Sequence, residues 1–121
     1  CLQIFTDMIE TMSVRTDNMK KAAQTGFINA TDLADYLVCK GLPFRSAYKI
    51  SGKIVADCLQ QGTVLEKLPL ADYQQYSPLF EADVYDAVNL DQCVARRISA
   101  GGTSVASVEA QLAYVREKIA L

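Results

Sequence analysis

The sequence predicts an all-α fold: a compact bundle of short helices paired as helical hairpins, preceded by the end of a longer helix from a central bundle. Three observations support this prediction. Apolar residues recur at spacings of three and four in several segments, as on one face of an α-helix. Glycine and proline separate these segments. No stretch alternates apolar and polar residues for long enough, with β-branched enrichment, to predict a strand.

The first predicted helix covers residues 1 to about 24 and is apolar on more than one side, which is typical of a helix buried among several neighbours. Its two apolar rows are Leu2/Phe5/Ile9/Met12 and Ile4/Met8. Ser13 or Thr16 is expected to break or recap it, and Gly26 to end it in a left-handed turn. Because the apolar pattern is already running at Cys1, without a capping residue, we expect the chain to be a fragment of a longer protein.

A short second helix is predicted after Asn29, whose side chain suits the N-cap position. Asp32 then lies in the first turn, where a carboxylate favours the free backbone donors and the positive end of the helix dipole. Gly41 is expected to stop this helix. Its predicted buried stripe consists of Leu33, Ala34, Leu37 and Val38.

The clearest amphipathic helix follows Pro43, which suits a first helical turn because its missing N–H costs nothing there. Gly62 is expected to close it. Leu37 and Ile54 are predicted to face one core. The residues that recur at helical spacing on its apolar side are Phe44, Ala47, Ser51, Ile54, Val55, Cys58 and Leu59.

Residues 63–103 are predicted to form helices of one to three turns, because Pro69 and Pro78 each prevent a helix from running through the preceding residue. The stretch "SAGGTS", residues 99–104, predicts a flexible turn. A last helix follows, capped by Thr103 or Ser104. Its apolar residues step by three and four: Val105, Val108, Leu112, Val115 and Ile119.

Composition and charge exclude several classes of protein. The 121 residues are enough for one domain with an apolar core. A net charge of −2 argues against a broad phosphate-binding face, so we expect no nucleic-acid partner. The apolar runs are too short to span a membrane, and Asp7 and Glu10 interrupt the first one, so neither a membrane span nor a signal peptide is predicted.

The cysteines predict a reduced protein without a bound metal. Cys1, Cys39, Cys58 and Cys93 are widely spaced, and the sequence has no histidine to complete a mixed zinc site. We therefore expect four small buried thiols without a disulfide, no cofactor, and a location in the cytoplasm.

The residues alone predict no self-contained active site. Without histidine, the commonest general base is missing, and acid–base chemistry would depend on the carboxylate pairs Asp32/Asp35 and Asp83/Asp86. Such pairs are more often solvated helix faces or capping charges. The glycines of "AGGTS" more often turn the chain than bind an anion, because a P-loop would need a lysine and a preceding strand.

The stretch "ATDLADYLVCKGLPFRSAY", residues 30–48, resembles the C-terminal region of the argininosuccinate lyase family, within the aspartase/fumarase superfamily. The family pattern is A-T-D-L-A-x-Y-L-V-x-K-G-x-P-F-R-x-A-H followed by G-K-x-V, which Gly52, Lys53 and Val55 match. "SPLFEADVY", residues 77–85, and "GGT", residues 101–103, extend the resemblance over essentially the whole chain.

The resemblance implies a carbon–nitrogen lyase that cleaves argininosuccinate to arginine and fumarate by β-elimination in arginine biosynthesis. It also implies a homotetramer whose active sites combine three subunits. Residues 1–26 would end the central helical bundle, leaving an apolar patch when its partners are absent, and residues 27–121 would form the C-terminal helical domain. The family's catalytic histidine and its G-S-S-x-M-P-Q-K-K-N loop lie upstream, so no catalytic residue is assigned here and the fragment alone is expected to be structural and inactive.

Two other functions stay open at this point. One is a stand-alone helical module that binds a partner protein, and the other is a superfamily relative with another substrate, such as adenylosuccinate. The sequence also departs from the family pattern at Tyr48, where the family usually has His, and at Lys49, where it usually has an acidic residue. These departures bear on local packing and polar contacts.

Overall fold

The structure is a computed structural model that describes residues 1–119, and this part of the chain contains eight α-helices, one 3-10 turn and no strand. The all-α prediction is confirmed for these residues. Residues 120 and 121, the end of the predicted domain 27–121, lie outside the described residues. The helices are α1 Leu2–Glu10, α2 Thr16–Thr25, α3 Ala30–Cys39, α4 Phe44–Gln61, α5 Leu70–Tyr76, α6 Val84–Val88, α7 Leu90–Ala95 and α8 Val105–Ile119, with the 3-10 turn at Leu65–Lys67.

The core lies between α3 and α4 and is closed by α5, α6 and the 3-10 turn. Leu37 of α3 and Ile54 of α4 are both fully buried in the same cluster, as the sequence predicts. Tyr73 packs against Phe80 with ring centroids 5.0 Å apart, in the middle of this cluster. The other fully buried large side chains include Leu33, Leu65, Val84 and Val88.

The α3–α4 hairpin follows the predicted stop signals. Gly41 and Gly62 both have positive φ, 96° and 65°, and each follows the end of a helix, where a side chain would be strained. The amide of Leu42 donates to the Leu37 carbonyl at 3.0 Å and closes the first of these turns. Pro43 lies one residue before the first helical residue, with an extended ψ of 136°.

The predicted left-handed turn at Gly26 is wrong by one residue. Gly26 is right-handed, with φ −84°, and the left-handed residue is Phe27, with φ 50°. A Cβ atom at position 26 would lie 3.2 Å from the Ala22 carbonyl oxygen, so close packing against the end of α2 favours glycine there. Phe27 packs against the core, and this burial offsets the cost of its unfavourable backbone conformation.

The predicted apolar stripes are wider than the faces that are buried. Val38, Phe44 and Leu59 are exposed, and Leu59 keeps 63% of its surface. Tyr36 is buried on α3, because the 77–83 loop covers its ring.

The prediction of four buried thiols is half right: Cys58 and Cys93 are buried, whereas Cys1 and Cys39 are exposed, and all four are free.

The first and last helices lie outside this core. A break between α1 and α2 is present, as predicted, but Arg15 precedes α2 and no side chain caps it. Every residue of α1 is exposed, including its two apolar rows. At α8 the predicted cap is confirmed, since the Ser104 hydroxyl accepts the Ser107 amide at 3.2 Å. No helix within the described residues has the length and apolar character needed to cross a membrane.

Candidate functional site

The fold brings both predicted carboxylate pairs to one open cleft. Asp32 and Asp35 come from the first two turns of α3, while Asp83 and Asp86 come from the start of α6. The cleft has a volume of about 650 Å³. Its other lining residues are Tyr36, Cys39, Ala87, Arg96 and Arg97.

Asp32 forms an ion pair across the cleft with Arg97. Arg97 Nη2 lies 3.2 Å from Asp32 Oδ2 and Nη1 lies 3.4 Å from Oδ1, so the guanidinium meets the carboxylate with two donors. Arg97 also donates to the carbonyl of Cys93, at the end of α7. The hydrogen bond to Asp32 raises the pKa of the Arg97 guanidinium. The pair therefore joins the start of α3 to the end of α7.

Asp83 belongs to a second polar group, the Tyr36 cluster, which consists of Tyr36, Lys40, Glu81 and Asp83. The Tyr36 hydroxyl donates to Asp83 and accepts the Glu81 amide at 3.1 Å. Lys40 lies 3.0 Å from Asp83 and also pairs with Glu81. Burial, followed by the bond to Asp83, raises the pKa of Tyr36, while the bonds from Tyr36 and Lys40 lower the pKa of Asp83.

The remaining two carboxylates of the cleft face solvent. Asp35 and Asp86 are exposed, and neither carboxylate makes a hydrogen bond or an ion pair with another side chain within residues 1–119. Arg96 reaches only the Asp86 carbonyl, at 3.0 Å. The described residues also contain no group of three or more His, Cys, Asp or Glu side chains placed to hold a metal ion. Two of the four carboxylates thus join helices, and the other two are solvated.

Two thiols and two phenols of the chain are unavailable as bases because their pKa values are raised. Burial raises the pKa of Cys93 to about 11 and also raises that of Cys58. A hydrogen bond to Asp57 raises the pKa of Tyr76 to about 12, and burial raises that of Tyr73. All four groups are therefore protonated at neutral pH and cannot accept a proton from a substrate.

The "AGGTS" stretch forms a tight turn. Gly101 has φ 80°, and a Cβ atom at Gly102 would lie 2.2 Å from the Arg97 carbonyl oxygen, so both positions need glycine. The Gly102 amide donates to Ser99 at 2.8 Å and the Ser104 amide donates to Arg97 at 3.2 Å. These amides already have partners within the turn, which favours a structural role over anion binding.

A second cleft of about 530 Å³ adjoins the first and shares the Asp32–Arg97 pair with it. Its far side is formed by α2, which is joined to α7 by an ion pair of 2.9 Å between Lys20 and Asp91. Much of its lining is apolar, including Ala23, Ile28, Leu90 and Val94.

Sequence patterns did not reveal the Tyr36 cluster. Tyr36 on α3 and Lys40, directly after its last residue, are four positions apart, and this spacing was the available signal. Their acidic partners, however, are more than forty residues away along the chain, at Glu81 and Asp83. At the position that departs from the family pattern, Tyr48 is exposed and packs beside Phe44 with ring centroids 5.9 Å apart.

Comparisons with known proteins identify what the chain is similar to. Residues 27–95 match the family model described as "Argininosuccinate lyase C-terminal". The chain is 56% identical over 118 residues to argininosuccinate lyase from Geobacillus thermodenitrificans (strain NG80-2), covering 98% of the chain and 26% of that protein. It is 55% identical over 116 residues to argininosuccinate lyase from Geobacillus kaustophilus (strain HTA426), and this match covers 96% of the chain and 25% of that protein. The chain is 52% identical over 118 residues to argininosuccinate lyase from Anoxybacillus flavithermus, and this match covers 98% of the chain and 26% of that protein. The chain thus spans about a quarter of the length of these curated relatives.

Proposed function

Because the chain belongs to the argininosuccinate lyase family, we propose that it is the C-terminal part of an enzyme that cleaves argininosuccinate to arginine and fumarate by β-elimination. Identity above 50% over nearly the whole chain to proteins named argininosuccinate lyase carries this proposal. The same names favour argininosuccinate over adenylosuccinate as the substrate. A role in arginine biosynthesis follows from the reaction.

The part of the enzyme represented by this chain supports the reaction without performing it. Elimination needs a positioned base and an electrostatic clamp on the developing negative charge. The chain has no histidine, its buried thiols and phenols have raised pKa values, and Asp83 has a lowered pKa that makes it a weak base. The G-S-S-x-M-P-Q-K-K-N loop of the family does not occur in these residues.

The organisation proposed for the whole enzyme follows the family pattern. Residues 1–26 would belong to a central helical bundle and residues 27–121 to a C-terminal helical domain, in a cytoplasmic homotetramer. The exposure of both apolar rows of α1 supports this division, because a helix that is apolar on several sides needs neighbours to cover it. The arrangement of Leu33, Leu37 and Ile54 in one core supports a domain that begins near residue 27.

A helical module that binds a partner protein is the second candidate. The observation in its favour is that α1 and α8 each carry a row of exposed apolar residues, and exposed apolar patches are typical of surfaces that bind other proteins. It differs from the first proposal in needing no lyase activity from any protein that contains this chain.

A chimera tests the lyase proposal. The matching quarter of the Geobacillus thermodenitrificans enzyme is replaced by this chain, and fumarate release from argininosuccinate is followed by absorbance. We expect an active lyase, and no turnover from the 121-residue chain alone.

The control chimera carries Leu37→Asp, which places a charge in the core and should abolish activity together with folding. A chimera that folds and assembles like the parent enzyme but releases no fumarate would contradict the proposal. Turnover by the isolated chain would contradict the non-catalytic role.

A further inference from the structure

Helix α8 carries an apolar stripe that nothing in the described part of the chain covers. The stripe consists of Val105, Val108, Leu112, Val115 and Ile119, which are between 41% and 74% exposed. Its steps of three, four, three and four residues are the a and d positions of two heptads, the spacing at which one helix packs along another. A different side of α8 faces the preceding 99–104 turn, where Ser107 is buried and Gln111 donates to the Gly102 carbonyl at 3.0 Å.

Two opposite charges flank the outer edge of this stripe without a partner on their own helix. Glu109 and Arg116 occupy the same heptad position, e, one heptad apart. The residues three and four positions from them are apolar in the described chain, so neither can form the usual pair along the helix. Neither makes an ion pair within residues 1–119, whereas Lys118 lies over the Tyr114 ring.

We propose that the α8 stripe docks on the same stripe of a second copy of this chain, with the two helices antiparallel. Antiparallel helices bring e positions opposite e positions, so Glu109 of each copy faces Arg116 of the other. The register that aligns these charges also places Leu112 against Val115 and Val108 against Ile119 of the second copy. With the two copies related by one twofold axis, both Glu109–Arg116 pairs and four apolar layers form at the same time. This is what a self-complementary interface requires.

Charge complementarity distinguishes this arrangement from the alternatives. In a parallel pair, e positions face g positions, so Arg116 would face Gln111 and Glu109 would face Ser104. No opposite charges would then meet. The paired segment is only two heptads long, so we expect reversible association with a dissociation constant on the order of 100 μM. The interface does not depend on lyase activity.

Charge exchange on α8 tests the proposal by sedimentation equilibrium of the 121-residue chain. Phe5→Gln and Ile9→Gln are introduced throughout, because they reduce the exposed apolar surface of α1 as a competing contact and neither residue is buried. Glu109→Arg alone and Arg116→Glu alone should each weaken dimerisation about tenfold, since each places like charges together twice per dimer. The double exchange should restore the original dissociation constant.

Two further variants complete the experiment. Leu112→Gln should abolish dimerisation. It should leave the helical circular dichroism unchanged, because the Leu112 side chain is exposed in the monomer. Glu117→Arg, which makes the same charge change on the opposite side of α8, should have no effect. The proposal is overturned if the background chain stays monomeric, as expected if another segment or protein covers the stripe. It is also overturned if single exchanges change nothing or the double exchange does not rescue them.

Discussion

The body of the molecule, from Asn29 to Cys93, and the helices on either side of it use the same apolar residue types in different ways. In the body, Leu33, Leu37 and Ile54 are fully buried. In α1 no residue is buried, although Leu2, Phe5 and Ile9 follow the same helical spacing. Spacing therefore predicts which face of a helix is apolar, but the neighbours available decide whether that face is covered.

The α3–α4 hairpin shows how two helices of the body cover each other's apolar faces. The loop between α3 and α4 contains Gly41 and Pro43 and returns the chain immediately, so the two apolar faces meet. The connection from α2 to α3, residues 26–29, is equally short, but no residue of α2 is buried. If the stability of the chain resides in the body, substitutions in the body should lower the free energy of unfolding most. Substitutions closer to α2 should lower it less.

The largest effect is expected in the core. Leu37→Ala and Ile54→Ala should each lower the free energy of unfolding by about 2 to 5 kcal/mol, because each leaves a cavity in a closed cluster. Urea denaturation followed by circular dichroism measures the change. Leu59→Ala is the matched control on α4, since its side chain is exposed, and it should change stability by less than about 0.5 kcal/mol. Equal losses at positions 54 and 59 would show that the body does not hold its stability in this core.

The next effect concerns a buried amide that links α3 to the rest of the body. The Asn29 side chain is almost fully buried and donates to the Val88 carbonyl at 2.6 Å and to Glu66 at 3.3 Å. Asn29→Ala leaves these acceptors without a donor and should cost about 1 to 3 kcal/mol in the same denaturation experiment. The exposed Asn18 of α2 provides the control, and Asn18→Ala should be nearly neutral. A neutral Asn29→Ala would mean that water replaces the amide at no cost.

Asn29 also shows how far sequence reasoning reaches. Its position before α3 was predicted, because a small polar residue ahead of an apolar repeat is a local signal. Its role was not predicted. The side chain makes no capping hydrogen bond and instead donates to Glu66 and Val88, which are 37 and 59 positions further along the chain. The α3–α4 hairpin and its glycine stops were predicted from the same kind of local signal.

The candidate cleft was predictable in its parts but not in its assembly. The pairs Asp32/Asp35 and Asp83/Asp86 are visible as one-turn spacings, yet nothing local indicates that the two pairs share a cleft or that Arg97 joins Asp32. The prediction that Val38 and Leu59 belong to buried faces is wrong for a related reason, because a helical repeat does not define the width of the buried face. Long-range packing sets each of these features.

A smaller effect is expected from the Tyr36 cluster, and it depends on pH. The pKa of Asp83 is lowered in the folded chain from its ordinary value of 3.8. Its contribution to stability is therefore present above that value and is lost as the pH falls towards the lower folded pKa, because the unfolded chain takes up the proton first. Asp83 keeps 52% of its side chain exposed, so solvent weakens the effect.

Asp83→Asn tests this contribution through the urea midpoint measured between pH 2 and pH 5. The variant should lose less stability than the original chain as the pH falls from 5 to 2. Asp86→Asn, from the same cleft but without contact to Tyr36 or Lys40, should keep the original slope. Parallel curves for the original chain and Asp83→Asn would exclude Asp83 as a source of the acid dependence.

The smallest effect is expected at the junction between α2 and the body, where the contrast between the two regions is sharpest. The Lys20–Asp91 pair spans 2.9 Å, but its side chains are 57% and 74% exposed, so solvent screens the attraction. A double-mutant cycle with Lys20→Ala and Asp91→Ala should give a coupling of no more than about 0.5 kcal/mol, which 0.5 M salt removes. Amide exchange should become faster in α2 in both single variants and stay unchanged in α3, because α2 has no buried residue to hold it when the pair is lost. Slower exchange in α2 than in α3, or a coupling as large as the core effects, would place α2 within the stable body and remove the distinction between the two regions.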